Sequence, residues 1–173
     1  MKLLKIIKEE DVISGYSKKK EVSYRLREAA RAVLFDKDDK IALLKVSKIN
    51  YYKLPGGGIE GDEDKKIALR RECKEEAGCG IEIGEEIGMI EEYRDKINIY
   101  QKSYCYISKV LGEKGKTEFT EKENNEGFYL EWVKLNKAID LIKNSKPLDY
   151  EGKFIIVRDL RFLEEAIKLL NSY

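Results

Sequence analysis

The run Arg71-Glu72-Cys73-Lys74-Glu75-Glu76-Ala77-Gly78 places three carboxylates at helical spacing. At about 100° per residue, Glu72, Glu75 and Glu76 share a stripe about 100° wide. Leu69, Cys73 and Ala77 form a narrow apolar stripe beside them, while Arg70 and Lys74 lie on the far side. A solvated helix scatters its acids among its bases, because like charges at i,i+4 repel. Acids gathered beside an apolar stripe sit at the edge of a core, and their repulsion needs a positive charge to offset it. A divalent cation supplies that charge, and Arg71 adds a charged donor at the margin. On this reading, removing one of the crowded carboxylates relieves repulsion and leaves the fold intact. Ahead of the helix stand Gly56, Gly57 and Gly58. Glycines let backbone come close to a ligand, and Gly-rich turns before helices are ready anion sites. Here Asp62, Glu63 and Asp64 also guard the helix entry and would repel a bare phosphate. A phosphate bridged by Mg²⁺ or Mn²⁺ fits both halves, and points to metal-assisted attack on phosphorus.

Composition narrows the chemistry further. The chain has 173 residues and no histidine. Ser-His-Asp and Cys-His nucleophiles and histidine-bound zinc are therefore excluded. Acid–base work falls to carboxylates, Lys, Tyr, Cys or metal-bound water, and carboxylates as hard ligands favour Mg²⁺ or Mn²⁺. Lys and Arg total 34 against 33 Asp and Glu, a net charge of +1. Neither sign dominates the long-range field, so neither a nucleic acid nor a membrane surface is the expected partner. The three cysteines, Cys73, Cys79 and Cys105, form no C-x-x-C pair and read as reduced core residues. The lysine-interrupted start, Met1 to Lys8, lacks the apolar run of a signal peptide, and a cytoplasmic location is expected.

The elements that must position these residues follow from patterning. By length, 1–173 reads as a single domain. Short strands are expected at 2–8 and 21–27 around a polar loop containing Gly15, with Ser17 to Glu21 as a solvated turn. A buried strand at 29–35 and another at 41–46 flank the Asp36-Lys37-Asp38-Asp39 turn and predict a hairpin. Tyr51 to Leu54 is extended and stopped by Pro55. A helix over about 64–77 ends at Gly78. Strands are expected at 81–92, 97–109 and 128–134, and helices at 136–143 and 154–171. The order predicts a mixed α+β or α/β/α layout.

Gly57-x5-Glu63-x7-Arg71-Glu72-Cys73-x-Glu75-Glu76-x-Gly78-Cys79 is similar to the box of the Nudix (MutT-like) hydrolases, G-x5-E-x7-R-E-U-x-E-E-x-G-U, in every fixed letter over 57–79. Both U positions hold Cys. The Gly usually found before the first box Glu is Asp62, with Gly61 one place early, which predicts a shifted turn. The resemblance implies an α/β/α sandwich with a mixed sheet, a central catalytic loop and helix, and C-terminal helices. It implies that Glu72, Glu75 and Glu76 hold Mg²⁺ or Mn²⁺, with the Gly57 carbonyl a further ligand. Arg71 would orient the carboxylates, Glu63 would brace the loop, and Gly78 would close the helix. Glu72 and Glu75 are also the box's catalytic candidates. One more acid from a later loop is expected as base, from Glu121, Glu123 and Glu126, with Glu126 preferred. Arg31, Tyr52 and Phe128 are the substrate-binding candidates, and Arg27 could also reach a second phosphate.

The expected activity is metal-dependent hydrolysis of a nucleoside diphosphate linked to another moiety. A (deoxy)nucleoside triphosphate is the first substrate class, and ADP-ribose or a nucleotide sugar the second. The ADP-ribose subgroup commonly carries a proline about sixteen residues after the box; no proline occurs between Pro55 and Pro147. A non-catalytic nucleotide-binding regulator of the same fold is the alternative of another class. Such modules usually lose box carboxylates, and this chain keeps them. The partner is a small-molecule nucleotide, and the assembly a monomer or homodimer.

Overall fold

The computed structural model describes residues 1–17 and 21–172. The lysine run of the expected solvated turn lies outside them. Strands β1 (Leu3–Lys8), β2 (Arg25–Phe35), β3 (Lys40–Val46), β4 (Tyr51–Lys53), β5 (Gly80–Arg94), β6 (Ile99–Leu111) and β7 (Phe128–Lys134) form one mixed sheet. Its order is β1-β5-β6-β2-β3-β4, with β7 on β3. The helices are α1 (Glu9–Val12), α2 (Lys65–Ala77), α3 (Glu121–Glu126), α4 (Leu135–Lys143) and α5 (Tyr150–Leu170).

Alternation along β2 sorts the sheet into two apolar faces. Ala30, Ala32 and Leu34 pack with Leu69, Cys73 and Ala77 of α2. Val33 and Phe35 face the other way, into a core with Ile142 of α4 and Phe154 and Phe162 of α5. The expected three layers are thus present, with α2 on one side and α4 and α5 on the other. The three cysteines are free and buried. No described helix is long and apolar enough to cross a membrane.

Four expectations are corrected. The strands expected at 21–27 and 29–35 are one strand, β2, which pairs in parallel with β6 from Arg25↔Ile99 to Phe35↔Lys109. The β2–β3 hairpin closes only at its turn, through Phe35↔Ile41. Beyond that pair the glycine loop takes the β2 edge: Ala32 N–H donates to the Pro55 carbonyl, Ala30 N–H to Gly57, and Ile59 N–H to Glu28, each at 3.0 Å. The segment expected as a loop before β7 contains α3. Thr120 and Glu123 form a capping box at its start, and Gly127 closes it at φ 74°. Finally, α5 begins at Tyr150 rather than 154, because the Asp149 carboxylate accepts the Gly152 N–H.

Candidate active site

The box loop is held by its own backbone. At Gly56, φ is 128° and an added Cβ would lie 2.1 Å from the Ala30 carbonyl oxygen, so only glycine lets the loop run along β2. The turn into α2 is shifted as expected, with the left-handed conformation at Gly61 (φ 50°) and not at Asp62. Asp64 then caps α2 by accepting the Lys66 and Ile67 N–H groups. Gly78 ends the helix in the left-handed conformation.

Arg71 ties loop to helix. Its guanidinium donates to Glu63 at 2.6 Å, to the Gly58 carbonyl at 3.0 Å and to Glu72 at 2.8 Å, and lies 3.4 Å from Glu75. Arg71 and Glu63, expected to orient the carboxylates and brace the loop, are brought together beside Glu72. The Glu72 carboxylate packs against Gly57, where a Cβ would stand 2.2 Å from its Oε1. Side-chain exposure separates the acids: 12% for Glu72, 42% for Glu75 and 2% for Glu76. Burial, with Glu72 adjacent, raises the Glu75 carboxyl above the usual range.

Glu76 departs from expectation. Its Oε1 accepts from Lys53 Nζ at 2.7 Å and its Oε2 from the Gly56 N–H at 2.6 Å. Burial raises its carboxyl, against the pull of Lys53. Both oxygens are occupied by the chain itself. Among the described residues no three acidic groups converge as a ready metal cluster. Lys53 and Arg71 each bring a positive charge to the acid stripe. The expected relief on removing a crowded carboxylate therefore does not apply to Glu76, which has a cationic partner.

The donor set still suits a hard divalent cation: carboxylate oxygens of Glu72 and Glu75, beside the Gly57 carbonyl. That carbonyl accepts one hydrogen bond, from Ala30, and retains a second lone pair.

These groups line a cavity of about 330 Å³ that also takes in α3, β2, β5 and α5. The candidates Glu126, Phe128 and Arg31 line it. Glu123 lines it too, with one carboxylate oxygen, Oε2, capping Thr120. Tyr52 does not line it. On β4, successive side chains point to opposite faces; Tyr51 and Lys53 reach the cavity, while the Tyr52 hydroxyl bonds Glu131 at 3.2 Å on the other side. The expectation that Tyr52 binds substrate is thereby corrected: its side chain lies outside the cavity that Tyr51 lines.

Lys53, Arg94 and Arg158 are cavity residues that the pattern reading did not single out. For Arg158 a signal existed. Phe154, Arg158 and Phe162 follow one another at i,i+4 spacing, which sets a charge on the core stripe of α5.

The NUDIX domain family matches residues 25–153. Diphosphoinositol polyphosphate phosphohydrolase 2 of Rattus norvegicus is 29% identical over 129 residues, 74% of this chain and 68% of that protein. Diphosphoinositol polyphosphate phosphohydrolase 3-beta of Homo sapiens is 28% identical over 132 residues, 74% of this chain and 75% of that protein. Among solved structures, a NUDIX hydrolase from Nitrosomonas europaea aligns with a TM-score of 0.63 at 15% identity, over 83% of this chain and 90% of that one. An ADP-ribose pyrophosphatase from Streptococcus suis aligns with a TM-score of 0.54 at 22% identity, over 82% and 91%. The solved structures share the fold.

Proposed function

The chain belongs to the Nudix family, and from that premise we propose that this pyrophosphohydrolase cleaves a phosphoanhydride bond in a small polyphosphorylated molecule, with a (deoxy)nucleoside triphosphate as the first substrate class. The observation that carries the reading is the Arg71 clamp. One guanidinium gathers Glu63, Glu72, Glu75 and the Gly58 carbonyl in a cavity that four other arginines also line. All the box carboxylates are in place, which argues against a non-catalytic regulator.

Glu72, Glu75 and the Gly57 carbonyl would hold Mg²⁺ or Mn²⁺. Such an ion neutralises phosphate charge and makes bound water more acidic. The chain's own residues do the rest. Arg71 fixes the carboxylates before substrate arrives, so that little reorganisation accompanies reaction. The glycine loop lets substrate oxygens approach backbone. Glu126, across the cavity, takes a proton from the attacking water. Tyr51 and Phe128 supply an apolar wall.

A second reading, a diphosphate on a polyphosphorylated ring, is favoured by the guanidinium-lined wall. The diphosphoinositol polyphosphate phosphohydrolases that resemble this chain carry such a substrate in their names.

A panel of nucleoside triphosphates, nucleotide sugars and diphosphoinositol polyphosphates, incubated with Mg²⁺ and separated by chromatography, tests both. The expected result is cleavage at one anhydride, abolished by EDTA. Undiminished turnover in EDTA would overturn the metal-assisted reading.

A further inference from the structure

Four guanidiniums line the same cavity as the box: Arg27 and Arg31 from β2, Arg94 from β5 and Arg158 from α5, with the Arg27 guanidinium beside Gly58 of the glycine loop. Arg94 is neutralised, at 2.6 Å from Glu92 and 3.3 Å from Glu151. Arg158 spends its Nε on Asp159 at 2.7 Å, and its Nη1 stands 3.6 Å from Glu92. Asp159 is shared, since it also accepts the Leu54 N–H. The other two arginines have neutral partners. Arg27 donates to the Gln101 amide and Arg31 to the Ala30 carbonyl. Neither forms an ion pair among the described residues.

The donors left over are specific. Arg31 is 5% exposed and Arg158 0%. The Nε of Arg31 and both Nη atoms of Arg158 are buried without a hydrogen-bond partner; Glu92 Oε1, 3.6 Å from Arg158 Nη1, is equally unbonded, so the idle donors are Arg31 Nε and Arg158 Nη2. An unpaired buried charged donor is among the costlier features a fold can carry. Burial pulls Arg31 down to about 10, with Arg158 and Arg27 pushing the same way against Asp159 and Glu76, yet it stays protonated at neutral pH. The cluster's carboxylates, Asp159 and Glu92, are already shared with Leu54 and Arg94, and idle donors remain on Arg31 and Arg158.

We propose that Arg27, Arg31 and Arg158 form an anion subsite that binds a phosphate group of the substrate other than the anhydride being cleaved. The inference deepens the hydrolase reading and rests on it for the word substrate. It selects compounds with phosphate at two places, one for the box and one for these arginines, over those with a single diphosphate. A guanidinium fork suits a phosphate, whose oxygens accept paired N–H groups. Arg158 lies beyond residue 153, where the family match ends, so α5 adds a specificity-determining residue to the shared site.

Binding of inorganic tripolyphosphate in EDTA, followed by calorimetry at low salt, tests this. Without metal the box carboxylates repel an anion, and the arginine variants separate the proposed subsite from Lys53 and Arg71 in the same cavity. One equivalent is expected to bind. Arg31→Met and Arg158→Met should each weaken it at least tenfold, and Arg70→Met, on the exposed side of α2, should leave it unchanged. Should Arg158→Met not fold, Arg158→Lys keeps the charge beside Glu92 and Asp159 but loses the fork, and at least threefold weaker binding is expected. No binding to the wild-type protein, or binding that both Arg31→Met and Arg158→Lys leave intact, would overturn the subsite. Binding that survives in a protein inactive towards every substrate would leave the subsite standing and sink the hydrolase reading.

Discussion

Lys53 Nζ lies 2.7 Å from Glu76 Oε1, joining β4 to α2 beneath the glycine loop, and the Gly56 N–H holds the other oxygen at 2.6 Å. The pair is nearly closed to solvent, with side-chain exposures of 11% and 2%. Removing one partner of such a pair leaves an uncompensated buried charge, and costs about 3 kcal/mol. Glu76→Gln should therefore lower the unfolding free energy by about that much, measured by urea titration. It should also reduce kcat at least about a hundredfold, because the loop that Glu76 anchors carries Gly57 and Gly58. Lys53→Met in the same chain should recover part of the stability. Wild-type stability for Glu76→Gln would show that the pair contributes nothing.

Arg71 is the next point of leverage. It binds Glu63, Glu72 and the Gly58 carbonyl at once. Lysine keeps the charge but lacks the planar fork needed to reach several acceptors together. Arg71→Lys should retain the fold and lower kcat by about tenfold to a hundredfold, with KM less affected. Arg71→Ala should lose more, since Glu63, Glu72 and Glu75 would then face one another unshielded. Equal activity of the lysine variant and the wild type, in steady-state kinetics, would make the clamp dispensable.

How much of this site is legible beforehand depends on the range of the contact. The acid stripe of α2 shows in the sequence because its spacing is local: Glu72, Glu75 and Glu76 fall beside Leu69, Cys73 and Ala77 at any reading of 3.6 residues per turn. The three layers follow from the same kind of patterning. Lys53–Glu76 does not show, because it depends on which β4 residues face α2. A one-residue difference in register exchanges Tyr51 and Lys53 for Tyr52. The β2–β3 hairpin misleads for a related reason. Its turn is sound, but the rest of the β2 edge is claimed by Pro55 to Ile59, which no strand pattern announces. The caps of α3 are visible in Thr120, Glu123 and Gly127 once a helix of only six residues is considered.

The β2–β3 turn carries an acid-sensitive contact. The Asp36 carboxylate accepts from Lys114 Nζ at 2.5 Å and from the Asp38 and Lys40 N–H groups at 2.9 Å. Burial alone would raise it, but these donors outweigh burial and hold the carboxyl below its usual range. With the folded value below the unfolded one, its stabilisation is complete above the unfolded carboxylate range. It is lost as pH falls through the folded value. Thermal melts from pH 7 to pH 3 should show a shallower acid loss for Asp36→Asn than for wild type, from a lower starting Tm. Superimposable slopes would remove Asp36 from the acid transition.

The base assignment turns on α3. Glu123 and Glu126 both line the cavity. Glu123 accepts from the Thr120 N–H at 2.8 Å and from its hydroxyl at 2.9 Å, and those bonds start the helix. Among the described residues the Glu126 carboxylate has one ion-pair partner, the exposed Lys122 at 3.7 Å. Its backbone is fixed: the Glu126 carbonyl accepts the Lys48 N–H at 3.2 Å, and the Gly127 carbonyl accepts the Ser47 N–H at 3.1 Å. The side chain thus works from a capped helix docked on the β3–β4 turn, and not from a free loop. Glu126→Gln should lower kcat much more than KM, because the proton is taken only as the transition state forms. Glu123→Gln should weaken the cap and act mainly through stability, and Glu121→Gln, which lies outside the cavity, should do little. Single-turnover rates for the three variants, compared at equal folded fraction, decide among them. A kcat loss confined to Glu123→Gln would move the base one helical turn earlier, and silence at all three would return the role to Glu75.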